Sequence, residues 1–151
     1  MRITVDNVQS KDIIELLTFH HENMFSLSPP ESAHVLDLEE MKDPSITLWS
    51  VWIDEELAGC GALKELDKGH GEIKSMRTYP KFLRRGVASR MLKVIIEEAK
   101  LRNYRNLSLE TGTPEPFLPA QKLYQSHGFE YCPPFASYVE DPYSVFMTKV
   151  L

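Results

Sequence analysis

The sequence predicts a mixed α/β domain, and three observations carry that prediction. Residues 46 to 78 hold three runs rich in β-branched and aromatic residues, separated by short polar or glycine-containing turns, which is the pattern of an antiparallel meander. Residues 72 to 110 read strand, helix, strand, an order that needs a crossover and so a parallel pair within the sheet. The length of 151 residues, with 42% hydrophobic and 26% charged side chains, suits one packed domain over residues 1–151 and excludes a disordered or collagen-like chain.

Taken in order, Arg2 to Asp6 alternates as a short strand. Ser10 then precedes Ile13, Ile14, Leu17 and Phe19, apolar residues at helical spacing behind a serine in the capping position. That helix must stop in SLSPPES, because Pro29 and Pro30 lack the amide donor an advancing helix needs. Ser32 to Met41 is expected as a second, acidic helix, ended before Pro44. ITLWSVWI and LAGCGALKEL form a hairpin about Asp54, Glu55 and Glu56; Gly69 and Gly71 mark the next turn, and EIKSMRT is a third strand ending at Pro80. After Gly86, the residues Ala88, Met91, Leu92, Ile95 and Ala99 recur at intervals of three and four, the clearest helical stripe in the chain. NLSLETG follows as a strand, PAQKLYQSHGF as a short helix closed by Gly128, and SVFMTKVL as the last strand.

The net charge of −5 hides a division along the chain. Residues 1 to 56 carry 12 acidic and 3 basic side chains, whereas residues 74 to 105 carry 10 basic and 2 acidic ones. The middle segment is suited to an anion. Nucleic acid is disfavoured as that anion, because the overall charge is negative and the basic residues are not interleaved with an aromatic series. No apolar run approaches the roughly 18 to 20 residues that span a bilayer, and MRITVDNVQSKD reads as strand, turn and helix start, so a cytoplasmic location without membrane partners is expected. Cys60 and Cys132 form no CxxC pair, so neither a disulfide framework nor a metal site is expected.

The chemistry concentrates in RTYPKFLRRGVASRML, where a strand leads through a basic turn into the strongest helix. Free N–H groups at a helix start, the macrodipole, Arg84 and Arg85 make a phosphate cradle, and Gly86 allows close approach; the competing reading is an ordinary turn with solvated arginines. Neither GxxxxGK[ST] nor a strand-linked GxGxxG is present, which removes P-loop and dinucleotide-binding classes.

This turn resembles the acyl-coenzyme A signature of the GNAT superfamily of N-acetyltransferases, Q/R-x-x-G-x-G/A, with Arg84, Arg85, Gly86, Val87 and Ala88 in its last five positions and Leu83 departing at the first. Thr78, Tyr79 and Pro80 approximate the family's Val-x-Pro, and Ala120, Leu123, Tyr124, Gly128 and Phe129 match its later A-x-x-L-Y and G-F. Phe117 stands where many members have Asn. The resemblance implies a GNAT-like fold: a central mixed antiparallel and parallel sheet, splayed at the cofactor, with helices on both faces. It further implies acetyl transfer from acetyl-CoA to an amine of a small molecule or peptide, without a metal. The pyrophosphate would rest on the amides of Arg84, Arg85, Gly86, Val87, Ala88 and Ser89, and the pantetheine arm would run along the backbone around Met76 and Thr78. Tyr124 matches the family's acid at the sulfur.

The base is open between Glu72 and Glu110, acting directly or through water. His20 and His21 read as helix-surface residues, with His21 a minor candidate on the acceptor side. If the acidic residues 11 to 43 flank the acceptor entrance, a cationic acceptor is expected; a preference for carboxylates would instead implicate His21 or Arg77. The rival class is a non-catalytic module that binds coenzyme A or nucleic-acid phosphates. A homodimer is left open.

Overall fold

The computed structural model describes residues 1–151. Its elements run β1 (Arg2–Asp6), α1 (Lys11–Leu27), β2 (Ile46–Ile53), β3 (Glu56–Asp67), β4 (His70–Thr78), α2 (Val87–Leu101), β5 (Asn106–Gly112), α3 (Leu118–Ser126), β6 (Glu130–Cys132) and β7 (Ser144–Val150). Seven strands form one sheet in the order β1-β2-β3-β4-β5-β7-β6, and β4 with β5 is its parallel pair.

Local chemistry explains most boundaries. Ser10 Oγ accepts the Ile13 N–H at 3.3 Å and so caps α1. Asp54 and Glu55 both take positive φ, 48° and 66°, the two left-handed residues that a tight hairpin between twisted strands requires. Strand β3 is buried on both faces, which is why LAGCGAL reads as a continuous apolar run rather than an alternation. On one face Ile13, Leu16 and Leu17 of α1 pack with Leu57, Cys60 and Ala62. On the other, Met91, Leu92, Ile95 and Ala99 of α2 pack with Leu63, Ile73, Leu107 and Leu109. Gly61 sits under α2: a Cβ there would lie 2.7 Å from Met91 Cγ, so the glycine sets how closely helix and sheet approach.

The acidic segment departs from the expected helix over Ser32 to Met41. It forms only two single 3₁₀ turns, Pro30–Ser32 and Glu40–Lys42. Asp37 Oδ1 accepts the Glu40 N–H at 2.8 Å and starts a fresh turn, while the residues before it cross the molecule without regular structure. Local capping outcompetes the helix, and Leu36, Leu38 and Met41 pack against the core from this irregular stretch. Strand β6 escapes sequence reading because it is only three residues long and pairs with β7 alone.

The feature that makes a site is a break in β4. Its parallel pairing with β5 covers only His70–Ile73 against Asn106–Leu109. Just beyond, Arg77 pairs with Cys60 and Lys74 with Ala62, so Ser75 and Met76 stand opposite the single Gly61. Ser75 takes φ 53° at this bulge. A bulge bends its strand and disrupts the ladder, and the two parallel strands part from here on.

Candidate active site

The parted strands enclose a cavity of about 590 Å³, walled by β4 and β5, α1, α3 and the segment around His34. One edge of β4 is held by β3, while its other edge has lost β5. An extended ligand arm placed there can bond to strand backbone as an added strand would. Met76 and Thr78 both line this opening. Ser75 Oγ, beside them, is the one enclosed polar side-chain atom without a hydrogen-bond partner.

At the outer end lies the turn into α2. Leu83 donates its N–H to Pro80 O and Arg90 donates to Gly86 O, but the intervening amides of residues 84 to 89 find no acceptor in the chain. No side chain caps α2, and its first turn holds no acid. Arg84 and Gly86 take φ 64° and 78°, and a Cβ at Gly86 would meet nothing within 4 Å, so the approach to these amides is open. Unpaired donors at the positive end of a 15-residue helix fit a pyrophosphate. The Val87 side chain is buried in the core and that of Ser89 bonds His127 Nε2 at 3.0 Å, so these residues offer backbone rather than side chains; Ala88 lines the cavity. Arg84 and Arg85 are exposed beside them.

Tyr124 projects from α3 into the same cavity and is itself buried, its ring edge-on to Phe129 at 5.9 Å. Burial pushes its phenol well above the ordinary range, so the hydroxyl stays protonated and can act as a donor. Phe117, in place of the family's Asn, is buried against Gly112, where any Cβ would strike its ring at 2.3 Å. The departure replaces a polar contact with packing.

The two carboxylates share the cavity but not a state. Glu72 is buried, with Oε2 accepting from the Tyr138 hydroxyl at 2.5 Å and from Lys74 Nζ at 3.2 Å. Tyr138 is held protonated by burial and by this carboxylate. Glu110 Oε2 accepts from Ser144 Oγ at 2.7 Å and lies 3.5 Å from His34 Nδ1, and its second oxygen has no partner in the chain.

Two expectations need correction. His20 is a buried residue, not a surface one, and its Nδ1 accepts from Arg77 Nε at 2.8 Å. Burial first, then Arg77 and His21, push its pKa down to about 3, so the ring is neutral. The sequence held the signal: His20 continues the Ile13 and Leu16 stripe of α1 at spacings of three and four. His21 lies off the cavity, against Phe25. The acidic residues of 11 to 43 do not line the cavity either. That stretch contributes His20, Asn23, Met24, Leu27, His34, Val35 and Leu36 to the cavity and no acid; Asp12 and Glu15 line a separate groove by Tyr79 and Lys81. Asn23 and Tyr138 carried no sequence signal, because their partners lie dozens of residues away, whereas Lys74 sits two positions from Glu72 on one strand, a spacing that places both on one face.

Comparison with known proteins identifies relatives of the fold. The uncharacterized N-acetyltransferase YsnE of Bacillus subtilis is 57% identical over 151 residues, all of both chains. A crystal structure of an acyl-CoA N-acyltransferase from Klebsiella pneumoniae superposes with TM-score 0.80 at 26% identity, covering 99% of this chain and 97% of that one. A GNAT family acetyltransferase from Elizabethkingia anophelis with acetyl-CoA bound has the same fold, with TM-score 0.72 at 21% identity, covering 99% and 97%. Residues 11–129 match the model of the acetyltransferase (GNAT) family, and with this match over most of its length the chain belongs to the GNAT family of acetyltransferases.

Proposed function

We propose that this acetyltransferase moves the acetyl group of acetyl-CoA onto a primary amine by direct attack within the parted strands. The observation that carries the reading is the alignment along one cleft of unpaired helix-start amides, an open β4 edge and a protonated, buried tyrosine. The amides of residues 84 to 89 hold pyrophosphate, and the β4 edge at Met76 and Thr78 holds the arm with its thioester carbonyl toward backbone donors. Glu110, directly or through one water, takes the proton the amine must lose; it is favoured over Glu72 because Glu72 is already ion-paired with Lys74 and bonded to Tyr138, whereas Glu110 has no lysine or arginine partner. The amine nitrogen bonds to the carbonyl carbon, the tetrahedral intermediate collapses, and the carbon–sulfur bond breaks. Tyr124 gives its proton to the departing thiolate and regains one from solvent, so the products are an N-acetyl amine and coenzyme A.

The test is release of free thiol from acetyl-CoA across a panel of amines, amino acids, polyamines and peptides. Turnover with an amine and N-acetylated product by mass spectrometry is expected. Tight acetyl-CoA binding without turnover on any amine would return the chain to ligand sensing.

A further inference from the structure

We infer that Arg77 reads a carboxylate on the acceptor, so that the amine substrate is a small amino carboxylate; this rests on the acetyl-transfer reading above. Four basic side chains line the cavity: His20, His34, Lys74 and Arg77. Lys74 is paired with Glu72, and His34 faces Glu110. Arg77 has no carboxylate partner. Its Nε donates to His20 Nδ1 and one terminal nitrogen donates to Asn23 Oδ1, both at 2.8 Å.

Both of those acceptors are neutral. A histidine accepting at Nδ1 cannot carry a proton there, and an amide oxygen carries no charge. Two of the five guanidinium N–H donors are thereby fixed, and the remaining three have no acceptor in the chain. The Phe19 ring lies against the same group, 5.7 Å from its central carbon. The fork is therefore oriented from behind without being neutralised. A half-buried cation lacking a counter-ion is an unfavourable arrangement for stability alone, since a carboxylate at position 20 or 23 would both hold and neutralise it. The arrangement makes sense when the counter-ion arrives with the ligand, because a planar guanidinium matches a carboxylate in a bidentate pair.

Placement supports the same conclusion. Arg77 lies between Met76 and Thr78, the two residues at the open β4 edge, and shares the cavity with Tyr124. With Glu72 and Lys74 compensating each other, the charges left in the cavity are Arg77 on β4 and Glu110 on β5. A cation and a carboxylate on the two walls complement the carboxylate and the amine of one small molecule.

The experiment compares free amino acids with their primary amides as acceptors, by coenzyme A release, with kcat/KM expressed per free-base amine so that differences in amine pKa cancel. The wild type should prefer the carboxylates by about ten- to a hundredfold, the range of a charge-assisted hydrogen-bonded contact. In Arg77→Met, checked for folding by circular dichroism and for acetyl-CoA affinity by calorimetry, that ratio should fall toward one. Arg77→Lys, which keeps the charge and loses the fork, should retain part of it, and Asn23→Ala should lower it less than Arg77→Met. Equal losses for acid and amide in Arg77→Met would make Arg77 merely structural and overturn the inference. So would a wild-type preference for amides, or turnover confined to amines without a carboxylate, and in both cases acetyl transfer itself would still stand. Acetyl-CoA binding with no turnover of any amine would sink the transfer reading first.

Discussion

The two halves of the cleft are built from different materials. The half suited to coenzyme A is backbone: the unpaired amides of residues 84 to 89 and the β4 edge that β5 abandons. The opposite half is side chain, an assembly of His20, Asn23, Arg77, Lys74, Glu72, Tyr138 and Glu110 drawn from α1, β4, β5 and the loop before β7. Backbone sites depend on conformation more than on side chains, and the amides of residues 84 to 89 stay unpaired with Leu83 where the family has Gln or Arg. Side-chain sites depend on identity at each position, so one substitution there can change what is bound. The same family can thus keep one cofactor while exchanging acceptors.

The comparison breaks most sharply at Gly86. Gly86→Glu puts a side chain at φ 78° and a negative charge against the helix start, and acetyl-CoA affinity by calorimetry should fall at least about a hundredfold. Unchanged affinity in a folded variant would remove the cradle assignment. Next comes Tyr124→Phe, which keeps the packing against Phe129 and removes the proton donor. Turnover should drop by about tenfold to a thousandfold while acetyl-CoA binding holds. A parallel loss of binding would place the hydroxyl in cofactor recognition.

The carboxylates sharpen the contrast within the side-chain half. Glu72→Gln leaves Lys74, whose side chain is only 9% exposed, without its counter-charge, and denaturant unfolding should show a loss of about 3 kcal/mol. Glu110→Gln should spare stability and lower turnover, most strongly at pH values where the acceptor amine is protonated and a base is needed. If the two variants exchange these outcomes, the base lies on β4 instead of β5.

His20 gives a pH signature. Its folded pKa, pushed down to about 3, lies below the ordinary 6.5, so between these values the unfolded chain binds a proton that the native one does not. Stability from this group is complete above pH 6.5 and is lost as pH falls toward 3, at up to about 1.4 kcal/mol per pH unit. His20→Asn should flatten that limb of the stability curve, measured by urea unfolding. The smallest effect expected is that of Arg84→Ala with Arg85→Ala: both side chains are exposed, so acetyl-CoA affinity should weaken only severalfold at low salt, with the difference fading at high salt. A salt-independent loss would mean that packing, such as Arg85 over Phe82, matters more than charge.

The strands and helices that a reader of the chain can place are those whose causes are local. Ser10, Gly86 and Gly128 mark helix ends by their own chemistry, and the stripe of α2 needs only its own spacing. The open helix start was legible for the same reason, since a strand, a basic turn and a helix are contiguous. The Ser32 to Met41 segment departs from the expected helix because Asp37 and Glu40 favour a local turn, and Leu36, Leu38 and Met41 reach the core without a helix. His20 departs from its expected surface position although its stripe is visible, because the partner that satisfies its ring, Arg77, lies 57 positions away.

By itself, then, the sequence determined the order of elements, the parallel crossover and the helix start that suits an anion, since capping, periodicity and turn geometry act over a few residues. Tertiary structure alone decided that β4 parts from β5 after Ile73, that Glu72 is paired with a lysine while Glu110 is not, and that Arg77 stands without a carboxylate. Those outcomes depend on which distant side chains meet across the sheet, and the energy of a charge in a cavity is set by neighbours that no local window contains.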